Sequence, residues 1–200
     1  MNKLKLAVFS SHEGTNMQSI IDASKAGKLD AEVVCIISNN SESGALRRAV
    51  KEGISGYHIS SKEFPLESDL VSEMLKVLRL HKVDLIILAG YMKIIPAELI
   101  AQFRNHILNI HPALLPKFGG KGMYGMYVHK AVIEAGEKES GPTVHLVDEI
   151  YDNGRILHQR KVPVIPEDTP ETLAAKVLIE EHKIYVETIQ MIAEGKIKLD

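Results

Sequence analysis

Three runs in this chain, LAVF (6–9), VVCII (33–37) and LIILA (85–89), are apolar at every position. A strand that is apolar on both faces must be covered on both faces, and a parallel sheet flanked by helices does this. Segments with helical spacing separate the runs: MQSIIDASKAG, GALRRAVKEG, SDLVSEMLKVLRLH and PAELIAQF, with GYHIS and HILNIH as further strands. The alternation predicts right-handed βαβ units. After Gly141 the pattern changes. PTVHLV and RILHQRKVPV flank DEIYDNG, whose Asp152-Asn153-Gly154 is a turn signal, so an antiparallel pair is expected beside the parallel strands. Residues 169–193 predict one long helix with Thr169 as N-cap and Pro170 at its first position. The expected fold is α/β, a doubly wound and mostly parallel Rossmann-like sheet with an antiparallel pair near the C-terminus and a long C-terminal helix. One domain over residues 1–200 is expected.

Composition removes several classes of function. The formal charge is −2 with acidic and basic residues intermixed, so there is no basic stripe for nucleic acid. No apolar segment reaches membrane-spanning length, and the first apolar run is too short for a signal peptide. The single cysteine, Cys35, lies in an apolar run and can form no intrachain disulfide, which fits a reducing compartment. A cytoplasmic protein with small-molecule partners, and no nucleic-acid or membrane partner, is expected; oligomeric state is left open between monomer and homodimer. The nine histidines show no HExxH and have no cysteine pair beside them, so no metal is expected.

The stretch LNIHPALLPKF places Asn109 and His111 two residues apart at the end of a predicted strand, with side chains on the same face. Pro112 and Pro116 stop the strand there, at the carboxyl edge where open α/β sheets carry their chemistry. Asp152, in the late turn, can reach the same edge. An amide that donates to an oxyanion, an imidazole that moves a proton and a carboxylate that orients it suit acyl-type transfer. No nucleophile elbow is present, so direct attack by a substrate amine is expected. The first strand ends in SSHEGTN, where the N–H groups of Gly14, Thr15 and Asn16 at a helix start suit an anion such as phosphate. An ordinary βα turn with a glycine and an N-cap reads equally well.

Together, EGTN, LAGYMKI (88–94), NIHPALLPK (109–117) and GPTVHLVDEIYDNGRIL (141–157) resemble the folate-dependent phosphoribosylglycinamide formyltransferase family. The resemblance extends to EHKIY (181–185). It implies Asn109, His111 and Asp152 as the catalytic trio, Gly14, Thr15 and Asn16 as a substrate-phosphate turn, and Glu181 as a carboxylate on the substrate's ribose side. It implies a folate pocket around Leu88, Met92, Lys93, Ile94, Val147 and Glu149, with Thr143 and His145 in support. The N-terminal half would carry the phosphate side, and the C-terminal half the folate side and the catalytic residues. The implied reaction moves the formyl group of 10-formyltetrahydrofolate, a co-substrate, to the amine of phosphoribosyl glycinamide in purine synthesis. A charged Asp152 is expected to raise the His111 pKa. The alternatives are a formyltetrahydrofolate hydrolase, another folate-dependent formyltransferase such as the methionyl-tRNA enzyme, or a non-catalytic binding module. The chain length argues against the first two and the trio against the module.

Three departures from the family pattern stand out. Glu13 enters the phosphate turn, where it either weakens anion binding or faces solvent. Leu178 replaces a Lys or Gln expected near the phosphate. Residues 117–129, KFGGKGMYGMYVH, hold four glycines and are expected to form a mobile lid, with Tyr124, Met126 and Tyr127 available to cover an aromatic ligand.

Overall fold

A computed structural model describes residues 3–199. In chain order the elements are β1 (Leu4–Phe9), α1 (Thr15–Lys25), β2 (Ala31–Ser38), α2 (Gly44–Glu52), β3 (Ser55–His58), α3 (Glu67–Leu80), β4 (Leu85–Leu88), α4 (Ala97–Gln102), β5 (Ile107–His111), α5 (Met126–Glu134), β6 (Glu139–Ser140), β7 (Thr143–Leu146), β8 (Ile156–Gln159), β9 (Val162–Pro163) and α6 (Pro170–Ala193). Seven strands form one sheet in the order β3-β2-β1-β4-β5-β7-β8. The pairs from β3 to β5 are parallel, while β5–β7 and β7–β8 are antiparallel. The expected architecture is therefore the observed one.

Alternation along the buried strands divides the core in two. Leu6, Val8, Ile87, Leu108 and Ile110 face α1 and α6, meeting Met17, Ile20, Ile184 and Tyr185. Ala7, Phe9, Ile37, Ile86 and Leu88 face α3 and α4, meeting Val71, Met74, Leu78 and Leu99. Cys35 is in this second layer, and burial pushes its thiol up to about 12. It is an unreactive core residue.

The helix signals near the C-terminus are realised atom by atom. Thr169 Oγ1 accepts the Thr172 N–H, Thr172 Oγ1 accepts the Thr169 N–H, and Pro170 opens α6. From there α6 runs back across the sheet. Its Tyr185 hydroxyl, fully buried, reaches the carbonyls of Leu88 at 2.9 Å and Leu108 at 3.1 Å. This one side chain joins the last residue of β4 to the second residue of β5.

The glycine-rich segment corrects an expectation. Its loop ends at Gly125, because Met126 opens α5 and both Val128 and His129 are buried. Val132, four residues after Val128, packs with Val162, Leu173 and Val177. That apolar spacing begins inside the glycine-rich stretch, which hides the helix start. The run RILHQRKVPV, expected as one strand, breaks at Arg160 and Lys161 into β8 and β9, and β9 pairs with β6 in a separate two-stranded sheet.

Candidate active site

Chain order reverses beside β1: β2 and β3 lie to one side of it, and β4 and β5 to the other. The loops after β1 and β4 part at this point and leave a crevice at the strands' carboxyl ends. Ser11 joins the two loops. Its N–H donates to the Gly90 carbonyl at 3.0 Å, and its hydroxyl accepts the Met92 N–H at 2.8 Å. The crevice widens into a cleft of about 880 Å³ lined by parts of both loops, the end of β5, the glycine-rich loop, residues 147–152 and Glu181 of α6.

Asn109 and His111 share one face of β5, as their spacing requires, and pair in register with His145 and Thr143 of β7. Asp152 comes from the turn before β8, held at a φ of 53°. Its Oδ2 stands 3.5 Å from His111 Nδ1 and accepts the Gly120 N–H at 2.9 Å. Its Oδ1 is 3.5 Å from Asn109 Nδ2 and 3.6 Å from His145 Nε2. The three predicted residues thus meet around one largely buried carboxylate.

Hydrogen bonds assign the ring nitrogens. His145 Nδ1 donates to the Leu146 carbonyl at 2.8 Å, and its Nε2 lies 3.1 Å from Asn109 Nδ2. His111 Nε2 donates to the Phe118 carbonyl at 2.7 Å, which leaves Nδ1 as its working nitrogen. Burial lowers the His111 pKa, and although the Asp152 charge pushes it up, the net shift is downward. The expectation of a raised His111 pKa therefore holds for the Asp152 contribution alone. Burial also pushes the Asp152 carboxyl up, but the His145 contact, the His111 charge and the Gly120 N–H outweigh it, and it stays below its ordinary range. The resting pair is a neutral imidazole facing a carboxylate.

His145, expected only in support of the trio, lies beside it. It touches both Asn109 and Asp152, and the signal for it was its alternation with Thr143 in TVHL. The Thr143 hydroxyl donates to the Ala113 carbonyl at 2.6 Å and accepts from Leu115 N at 3.1 Å and Gln159 Nε2 at 2.9 Å. It thereby pins the turn that follows His111. Gln159 and Tyr185 carried no sequence signal of this kind.

Gly14 precedes α1 at a φ of 71°, and no side chain caps that helix start. Thr15 and Asn16 begin the helix, and Asn16 reaches the cleft wall. Glu13 turns away: its side chain is 71% exposed and meets Arg47 at 3.4 Å. Of its two open placements, the outward one is observed. Asn16 Nδ2 donates to Glu181 Oε2 at 2.7 Å, joining α1 to α6. Leu178 is half-buried one turn before Glu181.

All six residues expected around folate, Leu88, Met92, Lys93, Ile94, Val147 and Glu149, line the cleft, as do Tyr124, Met126 and Tyr127. His12 also lines it and was not anticipated. Among the described residues, no group of three His, Cys, Asp or Glu side chains is placed so that it could hold a metal ion, and no helix is long and apolar enough to cross a membrane.

The formyl transferase family profile matches residues 4–189. A chloroplastic phosphoribosylglycinamide formyltransferase of Vigna unguiculata is 49% identical over 98% of this chain, which spans 63% of that relative's length. The phosphoribosylglycinamide formyltransferase of Haemophilus influenzae is 40% identical, with 98% of this chain and 90% of that one aligned. In structure, glycinamide ribonucleotide transformylase 1 of Symbiobacterium toebii superposes with a TM-score of 0.92 at 35% identity, covering 100% of this chain and 92% of the other. The chain belongs to the formyl transferase family, and within it to the phosphoribosylglycinamide formyltransferases.

Proposed function

We propose that the chain transfers the formyl group of 10-formyltetrahydrofolate to the primary amine of phosphoribosyl glycinamide, a step of purine synthesis. The observation that carries this is the convergence of Asn109, His111 and His145 on the buried Asp152 carboxylate at the wall of a large cleft. Binding alone has no need of such a cluster. The cleft volume suits a ligand of folate size, and its lining mixes apolar side chains with the loop backbones after β4 and β7. The uncapped start of α1 suits the substrate phosphate, since its N–H groups have no side-chain acceptor.

In this reading the substrate amine attacks the formyl carbon, and the carbonyl oxygen becomes an oxyanion. Asn109 donates to it. Its N–H toward Asp152, at 3.5 Å, is at the limit of a hydrogen bond and is the one available to a stronger acceptor. One such donor contributes about 2.7–4 kcal/mol. The attacking nitrogen gives its proton to His111 Nδ1, which is neutral at rest, and the new imidazolium is held against Asp152. That proton then passes to the departing folate nitrogen as its bond to the formyl carbon breaks. The products are the formamide and tetrahydrofolate. His145 keeps Asn109 and Asp152 in place.

A spectrophotometric assay with a 10-formyl folate tests this with and without phosphoribosyl glycinamide. Deformylation that requires the amine and fails in His111→Ala is the expected result. Deformylation without the amine would identify a hydrolase instead, and binding of both ligands without turnover a binding module.

A further inference from the structure

Asn16 and Glu181 stand 165 positions apart in sequence, yet a 2.7 Å hydrogen bond runs from the Asn16 amide nitrogen to Glu181 Oε2. Asn16 is only 9% exposed, and its Oδ1 is buried with no partner. An unpaired buried amide oxygen costs stability. Exchanging the two ends of the amide would aim that oxygen at the carboxylate, so the Asn16 orientation is set by Glu181 and not by its own needs. Burial also pushes the Glu181 carboxyl up, and the Asn16 hydrogen bond is what counters it. The backbone of Asn16, meanwhile, belongs to the uncapped first turn of α1.

We propose that Asn16 is a positioning residue for the phosphoribosyl substrate: its side chain ties down Glu181 Oε2, leaving Oε1 to receive the sugar's hydroxyl donors. This inference rests on the proposed function and adds a specific division of labour. One residue places the anion-binding turn of α1 and the carboxylate of α6 at a fixed separation, so that the phosphate and the sugar are read together. The unpaired Oδ1 is the cost of that registration. Asn16 acts on the sugar through Glu181 and has no part in the chemistry at the formyl carbon.

A double-mutant cycle tests the assignment, using steady-state kinetics for both substrates and calorimetric binding of phosphoribosyl glycinamide. Asn16→Ala is expected to raise the KM and Kd for phosphoribosyl glycinamide about tenfold, equivalent to about 1.4 kcal/mol, with the KM for formyl folate within about twofold of the parent. Glu181→Ala is expected to weaken the same substrate at least as much. The double variant should be no worse than Glu181→Ala alone, because Asn16 then has nothing to hold. Asn16→Ser, too short to reach the carboxylate, should repeat the Asn16→Ala pattern and guards against a folding artefact. Additive losses, or equal losses for both substrates, would overturn the assignment and leave Asn16 a structural residue. Failure of the parent protein to bind phosphoribosyl glycinamide would instead remove the proposed function.

Discussion

His111 Nδ1 faces Asp152 Oδ2 at 3.5 Å, and the same oxygen accepts the Gly120 N–H at 2.9 Å. The carboxylate therefore binds the glycine-rich loop while awaiting a proton on the imidazole. Asp152→Asn preserves shape and an acceptor for Gly120 but removes the charge. We expect kcat to fall roughly 10²- to 10⁴-fold with the fold intact. Burial already lowers the His111 pKa, and Asp152 is the main influence raising it. Without that charge the pKa falls further, so the acid limb of the residual activity moves to lower pH. A pH profile of kcat for both proteins measures this, and an unmoved limb would show that His111 is not the titrating group.

The turn that delivers Asp152 depends on Gly154. A Cβ there would lie 1.9 Å from the Leu146 carbonyl oxygen and 2.8 Å from its carbon. Backbone, unlike a side-chain end, cannot step aside. Leu146 also donates its N–H to the Arg155 carbonyl at 2.9 Å, so the hairpin closes on this residue. Gly154→Ala should cost about 1–3 kcal/mol in denaturant unfolding. Because Asp152 is two residues away, kcat should fall as well at temperatures where the variant is fully folded. A folded variant with unchanged kcat would show that the turn can shift without carrying Asp152.

Much of this arrangement could be read from the chain because the signals are local. Runs such as LIILA declare a strand covered on both faces, Asn109 and His111 declare a shared face, and Thr169-Pro170 declares a helix start. What escaped depends on distant partners. His145 reads as an ordinary inward residue of β7 until the β5–β7 register sets it opposite Asn109. The Asn16–Glu181 bond needs α6 to cross the sheet toward α1. Glu13 could not be oriented until α2 brought Arg47 beside it. The start of α5 was obscured by glycines that favour loops locally and are overridden by burial of Val128 and Val132.

Tyr185 offers a test of how the neighbouring strands β4 and β5 are held together. Its hydroxyl proton is shared between the Leu88 and Leu108 carbonyls, at 2.9 and 3.1 Å, in a fully buried setting. Tyr185→Phe fills nearly the same space and removes the only hydrogen-bonding atom of the side chain. The loss should be about 1–3 kcal/mol, the cost of leaving buried acceptors without a donor. Equilibrium unfolding measures it. No change would mean that other donors already satisfy both carbonyls.

His129 should make the protein acid-sensitive. It is 5% exposed in the first turn of α5, with Nδ1 unpartnered. Burial, assisted by the His111 charge, lowers its pKa from 6.5 to about 4. The folded state thus refuses a proton that the unfolded chain accepts. Stability from this residue is complete above about pH 6.5, declines as pH falls through the interval, and is lost below about 4. At 1.36 kcal/mol per pKa unit, the ceiling is about 3 kcal/mol. His129→Gln cannot titrate, so the difference in unfolding free energy between the two proteins should change across pH 4–6.5 while contributions from other histidines cancel. A difference that stays constant over that range would mean that His129 is protonated to the same extent in both states, and that its burial is relieved before unfolding.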